Sequence, residues 1–146
     1  MKKNKISFTQ LKKIIRESIL DDSSYAEQLS AFGVKTLVFS LIVHIWHINC
    51  TSGTDHDTLR EFYYFLEDKA DSLLEATIGR SNIPVAGQIA VDYGEFGDFS
   101  IEEIKKYREE TAALENFVKT DVGCSNILAD IVERCDSVIF KLTRLD

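Results

Sequence analysis

Four side chains in this sequence have the types of a transition-metal ligand set: His44, His56, Asp71 and Glu75. Neutral imidazoles and ionised carboxylates together suit a divalent ion such as iron. Asp71 and Glu75 stand four apart, so on a helix they share one face, about one turn from each other. His56 precedes Asp71 by fifteen residues, which is roughly 22 Å along the same helix at 1.5 Å per residue. No single ion can touch both within one chain. If all four serve one site, a second copy must run antiparallel and bring its Asp71 and Glu75 to the histidines of the first. A two-fold dimer does this and makes two equivalent sites.

The elements that must position these residues are two helices meeting at a Gly-bearing turn, Cys50 to Gly53. The run LVFSLIVHIW, Leu37 to Trp46, is apolar nearly all round but far shorter than the roughly twenty residues of a membrane span. It predicts a helix buried on two sides, one against its own bundle and one against a partner chain. His44 shares the face of Leu37, Leu41 and Ile48. After the turn, Thr54 with Asp57 can cap a second helix to about Gly79. Its core stripe is Leu59, Phe62 or Tyr63, Leu66, Ala70 and Leu73. A neighbouring polar band carries His56, Arg60, Tyr64, Glu67, Asp71 and Glu75. Taken alone, that band reads as a solvated helix face with Arg60 linked to Glu67 or Asp57, and a lone buried histidine reads as a core residue.

The order His44, His56, Asp71, Glu75, with gaps of twelve, fifteen and four, resembles the metal-site signature of the Dps-type miniferritins, members of the ferritin-like superfamily. The surroundings are similar too: Trp46 near the first histidine, Leu59, the pair Phe62–Tyr63, and Gly79 soon after the glutamate. Ile45 and Ala76 depart from the family's usual residues. The resemblance implies metal ligands His44 and His56 from one subunit, Asp71 and Glu75 from its neighbour, and Glu75 as the bridge between two irons. Trp46, His47 and Arg60 would surround them. It also implies Fe²⁺ oxidation by peroxide or dioxygen and iron storage, with zinc able to occupy the site at rest. The assembly it implies is a homo-oligomer of two-fold dimers, up to a hollow shell of twelve.

Composition bounds the remaining possibilities. At 146 residues, 45% hydrophobic and 28% charged, with one proline, the chain predicts a single, mostly helical domain over 1–146. A net charge of −7 argues against nucleic-acid binding by the body. The start is the exception: Lys2, Lys3 and Lys5 make a basic tail of the kind some miniferritins use on DNA, though such a run is more commonly a solvated face. Three cysteines cannot all pair, so they read as core fillers in a reducing cytoplasm, with Cys50 the one that could reach a metal. The charged start leads into an amphipathic pattern rather than a signal peptide.

The rest of the chain completes an all-α, ferritin-like four-helix bundle with an extra N-terminal helix. Ser7 with Gln10 reads as a capping box opening that extra helix over about 8–21, and Ser24 with Glu27 reads as a second box opening the first bundle helix to Asn49. Residues 80–98 hold the only proline and read as a long crossover between helices two and three. The acidic piece Asp92 to Asp98 lacks the ordered spacing of a calcium loop. Ser100 with Glu103 caps a helix to about Thr120, with Ile101, Ile104, Tyr107, Leu114 and Phe117 inward and Gly123 as its stop. The last helix, about 125–143, turns Ile127, Leu128, Ile131, Cys135, Val138, Ile139 and Leu142 inward. The Glu-x-x-His motif of classical di-iron bundles is absent. A helical-bundle interaction or structural protein without redox chemistry is the competing expectation.

Overall fold

In the computed structural model, which describes residues 7–82 and 99–144, four helices follow one another: α1 (Phe8–Asn49), α2 (Gly53–Ser81), α3 (Ile101–Phe117) and α4 (Val122–Arg144). No strand occurs among the described residues. The fold is all-α. The tail lysines Lys2, Lys3 and Lys5, and residues 83–98 of the expected crossover, lie outside the described residues.

Ser7 caps α1 as the sequence predicts, with Gln10 reaching back to the Ser7 amide. The expected break before Ser24 does not occur, and α1 runs through as one helix of 42 residues. The reason is local. Asp21, Asp22, Ser23 and Ser24 cost a helix interior only about 0.5 kcal/mol each, and no glycine or proline lies between Phe8 and Phe32 to stop it. The start of α2 also shifts. Ser52, not Thr54, is the cap, its hydroxyl accepting from the Asp55 amide. That helix ends on Asn82 in the left-handed conformation (φ 53°), which asparagine tolerates better than most residues, rather than at Gly79.

Contacts along the helices fix their directions. Between α1 and α2, His47 meets His56, His44 meets Tyr63, and Gly33 lies against Leu74, so the two are antiparallel. Between α1 and α3, Trp46 meets Phe99, Phe39 stacks on Tyr107, and Tyr25 faces Phe117. Between α2 and α4, Glu61 pairs with Lys141, Lys69 with Asp130 and Arg80 with Asp121. Arg108 holds Asp136 with two hydrogen bonds, tying α3 to α4. It follows that α2 and α3 run the same way, and that Asn82 and Phe99 stand at opposite ends of the bundle.

The core stripe expected on α2 is buried in full: Leu59, Phe62, Tyr63, Leu66, Ala70 and Leu73. Ile104 and Tyr107 from α3, and Leu128, Ile131, Cys135, Val138 and Leu142 from α4, close on it. Phe117 departs from expectation and is exposed, because α3 stops there and the following turn carries Val118 inward instead. Gly123 does not stop α3. It sits in the first turn of α4, where a Cβ would stand 2.7 Å from the Arg80 guanidinium. The stretch Tyr25–Asn49 has the length and composition of a membrane span, yet its Leu29, Phe32, Phe39, Val43 and Trp46 form bundle core.

Gly33 lets α1 and α2 approach closely, since a Cβ there would meet Leu74 Cγ and Cδ2 at 2.7 Å. Gly33→Val is expected to cost about 1–3 kcal/mol by overpacking this crossing. Urea unfolding checks it, and a midpoint equal to wild type would show that Leu74 yields freely.

Candidate functional site

The sequence gives the α1–α2 hairpin a very short turn, residues 50–52, and each helix ends with backbone groups that its own ladder cannot satisfy. Two histidines cross the turn: His56 reaches a carbonyl of the last turn of α1, and His47 reaches one in the first turn of α2. His56 Nδ1 hydrogen-bonds the His47 carbonyl at 3.0 Å, and His47 Nδ1 hydrogen-bonds the His56 carbonyl at 2.8 Å. A carbonyl can only accept, so both Nδ1 atoms carry the proton, and in the neutral form of each ring Nε2 is the bare nitrogen. The ring centroids are 3.7 Å apart. His47 is buried and His56 is partly exposed.

His44 lies one turn back on α1, its ring stacked on Tyr63 at 4.1 Å and 6.0 Å from His47. All three histidines of the chain therefore gather at the turn end of the hairpin. Tyr63 is the wall beside them. Its hydroxyl is held above the ordinary tyrosine range, first by its hydrogen bond with Tyr64 and then by desolvation, so it stays protonated at neutral pH.

The carboxylates stand further along the same hairpin. A groove of about 580 Å³ runs between α1 and α2, floored by Leu37, Ser40 and Leu41 and walled by Tyr64, Glu67, Asp68 and Asp71. Leu41 is 46% exposed and Tyr64 59%, large apolar surface for one face. Glu75 is exposed one turn beyond Asp71 on α2. The helices thus place His44 and His56 toward one end of this face and Asp71 and Glu75 toward the other, and they do not bring the two pairs together.

Three further residues were expected around the ligands. Trp46 is not beside them: its ring packs edge-on against Phe39 and Phe99 in the core, because it sits on the inward side of α1. His47 is beside them, in direct contact with His56. Arg60 is exposed and pairs with Asp57 at 3.2 Å, one of the two salt links the sequence allows. Cys50 is unpaired and half-buried, its thiol directed to the Ser52 carbonyl at 3.6 Å.

Among the described residues, no three His, Cys, Asp or Glu side chains stand close enough to hold a metal ion. The described residues of one chain do not close a metal site; the imidazoles and the carboxylates stand toward opposite ends of the hairpin.

A protein-family model, that of a family of unknown function (DUF5856), matches residues 47–142, about two thirds of the chain. The chain belongs to the DUF5856 family. The span matched in this DUF5856 protein opens at His47 and takes in His56, Arg60, Asp71 and Glu75, while His44 and Trp46 precede it. No curated protein and no solved structure matches it significantly.

The resemblance placed His47 around the ligands rather than among them, since its gap of twelve to His56 runs from His44. A signal was nonetheless available. His47 and His56 straddle a turn of three residues almost symmetrically, which puts two imidazoles within reach of the opposite helix end.

Proposed function

We propose that this DUF5856 protein is a divergent ferritin-like protein of the Dps type, which binds Fe²⁺ as its substrate, oxidises it with peroxide or dioxygen and stores the product. The observation that carries the reading is the unpartnered α1–α2 face, with imidazoles toward one end, carboxylates toward the other and an apolar groove along it. A second copy laid antiparallel on that face would put Asp71 and Glu75 beside the partner's histidine end and cover Leu41 and Tyr64. His44 and His56 would then be ligands from one subunit, with the carboxylates from the other. The parallel run of α2 and α3 supports the ferritin-like topology, since Asn82 and Phe99 stand at opposite ends of the bundle.

Iron bound there would give electrons to the oxidant. The protein's own part is to hold imidazole nitrogen bare, to present ionised carboxylates, and to bury the pair of half-sites between subunits. The assembly follows the same resemblance: two-fold dimers, up to a shell of twelve, in a reducing cytoplasm that suits three unpaired cysteines. DNA and membrane are not its partners in this reading. A second reading, an interaction module of ferritin-like fold without redox chemistry, is favoured by one observation: the exposed apolar surface of Leu41 and Tyr64 along the α1–α2 groove.

Fe²⁺ oxidation, followed by the ferric absorbance under peroxide and under air, decides between them. His56→Ala and Asp71→Ala are each expected to abolish it. Mixed one to one with subunit exchange, half the dimers are hybrids with one intact site of two, so about a quarter of wild-type activity returns. Wild-type oxidation no faster than buffer would sink the iron reading and leave the interaction module.

A further inference from the structure

We propose that the polar band of α2 is a self-complementary docking surface on which a second copy of this chain seats its own α2 antiparallel, Arg60 against the partner's Asp71 and Tyr64 against the partner's Glu67. The inference rests on the antiparallel dimer of the preceding reading, but not on its iron.

The band has the same spacing read from either end. His56, Arg60, Tyr64, Glu67, Asp71 and Glu75 are separated by 4, 4, 3, 4 and 4 residues. On a helix of about 3.6 residues per turn they share an arc of about 100°. None of the six is buried. The first three can donate hydrogen bonds, and the last three are carboxylates that accept them. Two copies laid antiparallel about the midpoint between Tyr64 and Glu67 therefore match each member of one half with a carboxylate of the other. Two-fold symmetry makes every match twice. A slip of one helical turn in either direction loses one match in three, so the pattern selects a register as well as a partner.

The groups are available for this use. Among the described residues no ion pair within the chain holds Glu67, Asp71 or Glu75. Arg60 is tied to its helix neighbour Asp57, and a guanidinium has donors enough for a second carboxylate. Apolar surface lies alongside: Leu37 and Leu41 of α1 are exposed and share one groove with Tyr64, Glu67 and Asp71. A docked copy would bury that surface inside a charged rim, the usual build of a protein interface. The outermost match, His56 with the partner's Glu75, falls where the iron reading places its ion. The inner two need none, and Asp71 has two oxygens, one for Arg60 and one to face the histidines.

Sedimentation equilibrium in EDTA, over a range of protein concentrations, tests the register by charge exchange. Wild type is expected to be a dimer. Arg60→Asp and Asp71→Arg each place like charges together twice per dimer, and each should weaken association at least about 10-fold. The double variant carrying both changes should recover most of that loss. Arg60 and Asp71 are eleven residues apart on one helix, roughly 16 Å, so recovery cannot come from within a chain. Circular dichroism confirms that each variant is folded. A double variant no better than the singles would overturn the proposal, and so would singles that associate like wild type. A wild type that is monomeric in EDTA would overturn it too, because an ion and not the band would then join the copies. The expected dimer without iron oxidation sinks the iron reading alone. Wild-type oxidation beside a double variant that stays dissociated sinks the docking proposal alone.

Discussion

Phe62→Ala should lower the unfolding free energy by about 3–5 kcal/mol, the range for emptying an aromatic site in a packed core. Phe62 is fully buried near the middle of α2. Its ring meets Phe39 of α1 edge-on, with centroids 6.2 Å apart, and Phe39 in turn stacks on Tyr107 of α3 at 4.4 Å. The Tyr107 hydroxyl is fixed by Thr36 at 2.7 Å. The neighbours therefore cannot collapse into the vacancy without breaking an aromatic chain and a buried hydrogen bond, so the cavity term is retained in full. Against the 5–15 kcal/mol typical of a domain, the loss is about a fifth of the total or more. Urea unfolding should show a lower midpoint at unchanged slope. A loss below about 1.5 kcal/mol would mean that the α1–α2–α3 junction repacks, contrary to the rigidity inferred from Thr36 and Tyr107.

What the sequence made legible was periodic. The α2 stripe and the α4 stripe repeat at three and four, and that repeat follows from burying one side of a helix, so Leu59 to Leu73 and Leu128 to Leu142 were found by it. Ser7 and Ser100 were legible because a hydroxyl before an apolar run satisfies orphan amides. Punctuation was less legible. Serine is permitted both at a cap and inside a helix, so Ser24 could not announce that α1 continues, and Ser52 and Thr54 compete for one cap.

The candidate site divided in the same way. Spacing alone gave Asp71 and Glu75 their shared face, and gave His56 its distance from them. The contact of His47 with His56 was not periodic at all, because it depends on how three residues turn the chain. Trp46 was misplaced for a related reason. In a helix that is apolar nearly all round, sequence does not say which apolar residue points inward, and the choice is made by Phe39 and Phe99. Leu37, Leu41 and Ile48, whose shared face the spacing did show, are the exposed side of α1, around the helix from Phe39 and Val43.

Stability should also fall steeply in alkali, and for a reason located in two buried groups. Burial, with a smaller push from the adjacent Asp136, drives the Cys135 thiol up to about 12, partly opposed by Arg108. Burial likewise raises Tyr107 well above the tyrosine range, against the lowering effect of its Thr36 hydrogen bond. In the unfolded chain these groups return to roughly 8.5 and 10. Because the folded values are the higher ones, the unfolded state loses its protons first as pH rises. The contribution is intact below about pH 8.5 and is lost progressively toward pH 12, at about 1.4 kcal/mol per group per pH unit once that group's unfolded value is passed. At pH 10.5 the thiol alone removes on the order of 2–3 kcal/mol. Urea midpoints from pH 7 to 10.5 should therefore drop for wild type, with the onset near pH 8.5. Cys135→Ala starts lower, since it leaves a cavity, but its curve should stay level until tyrosine ionises. Tyr107→Phe should keep the early fall and lose the later one. Parallel curves for wild type and Cys135→Ala would show that the thiol is not the group responsible, and that water reaches the α4 side of the core.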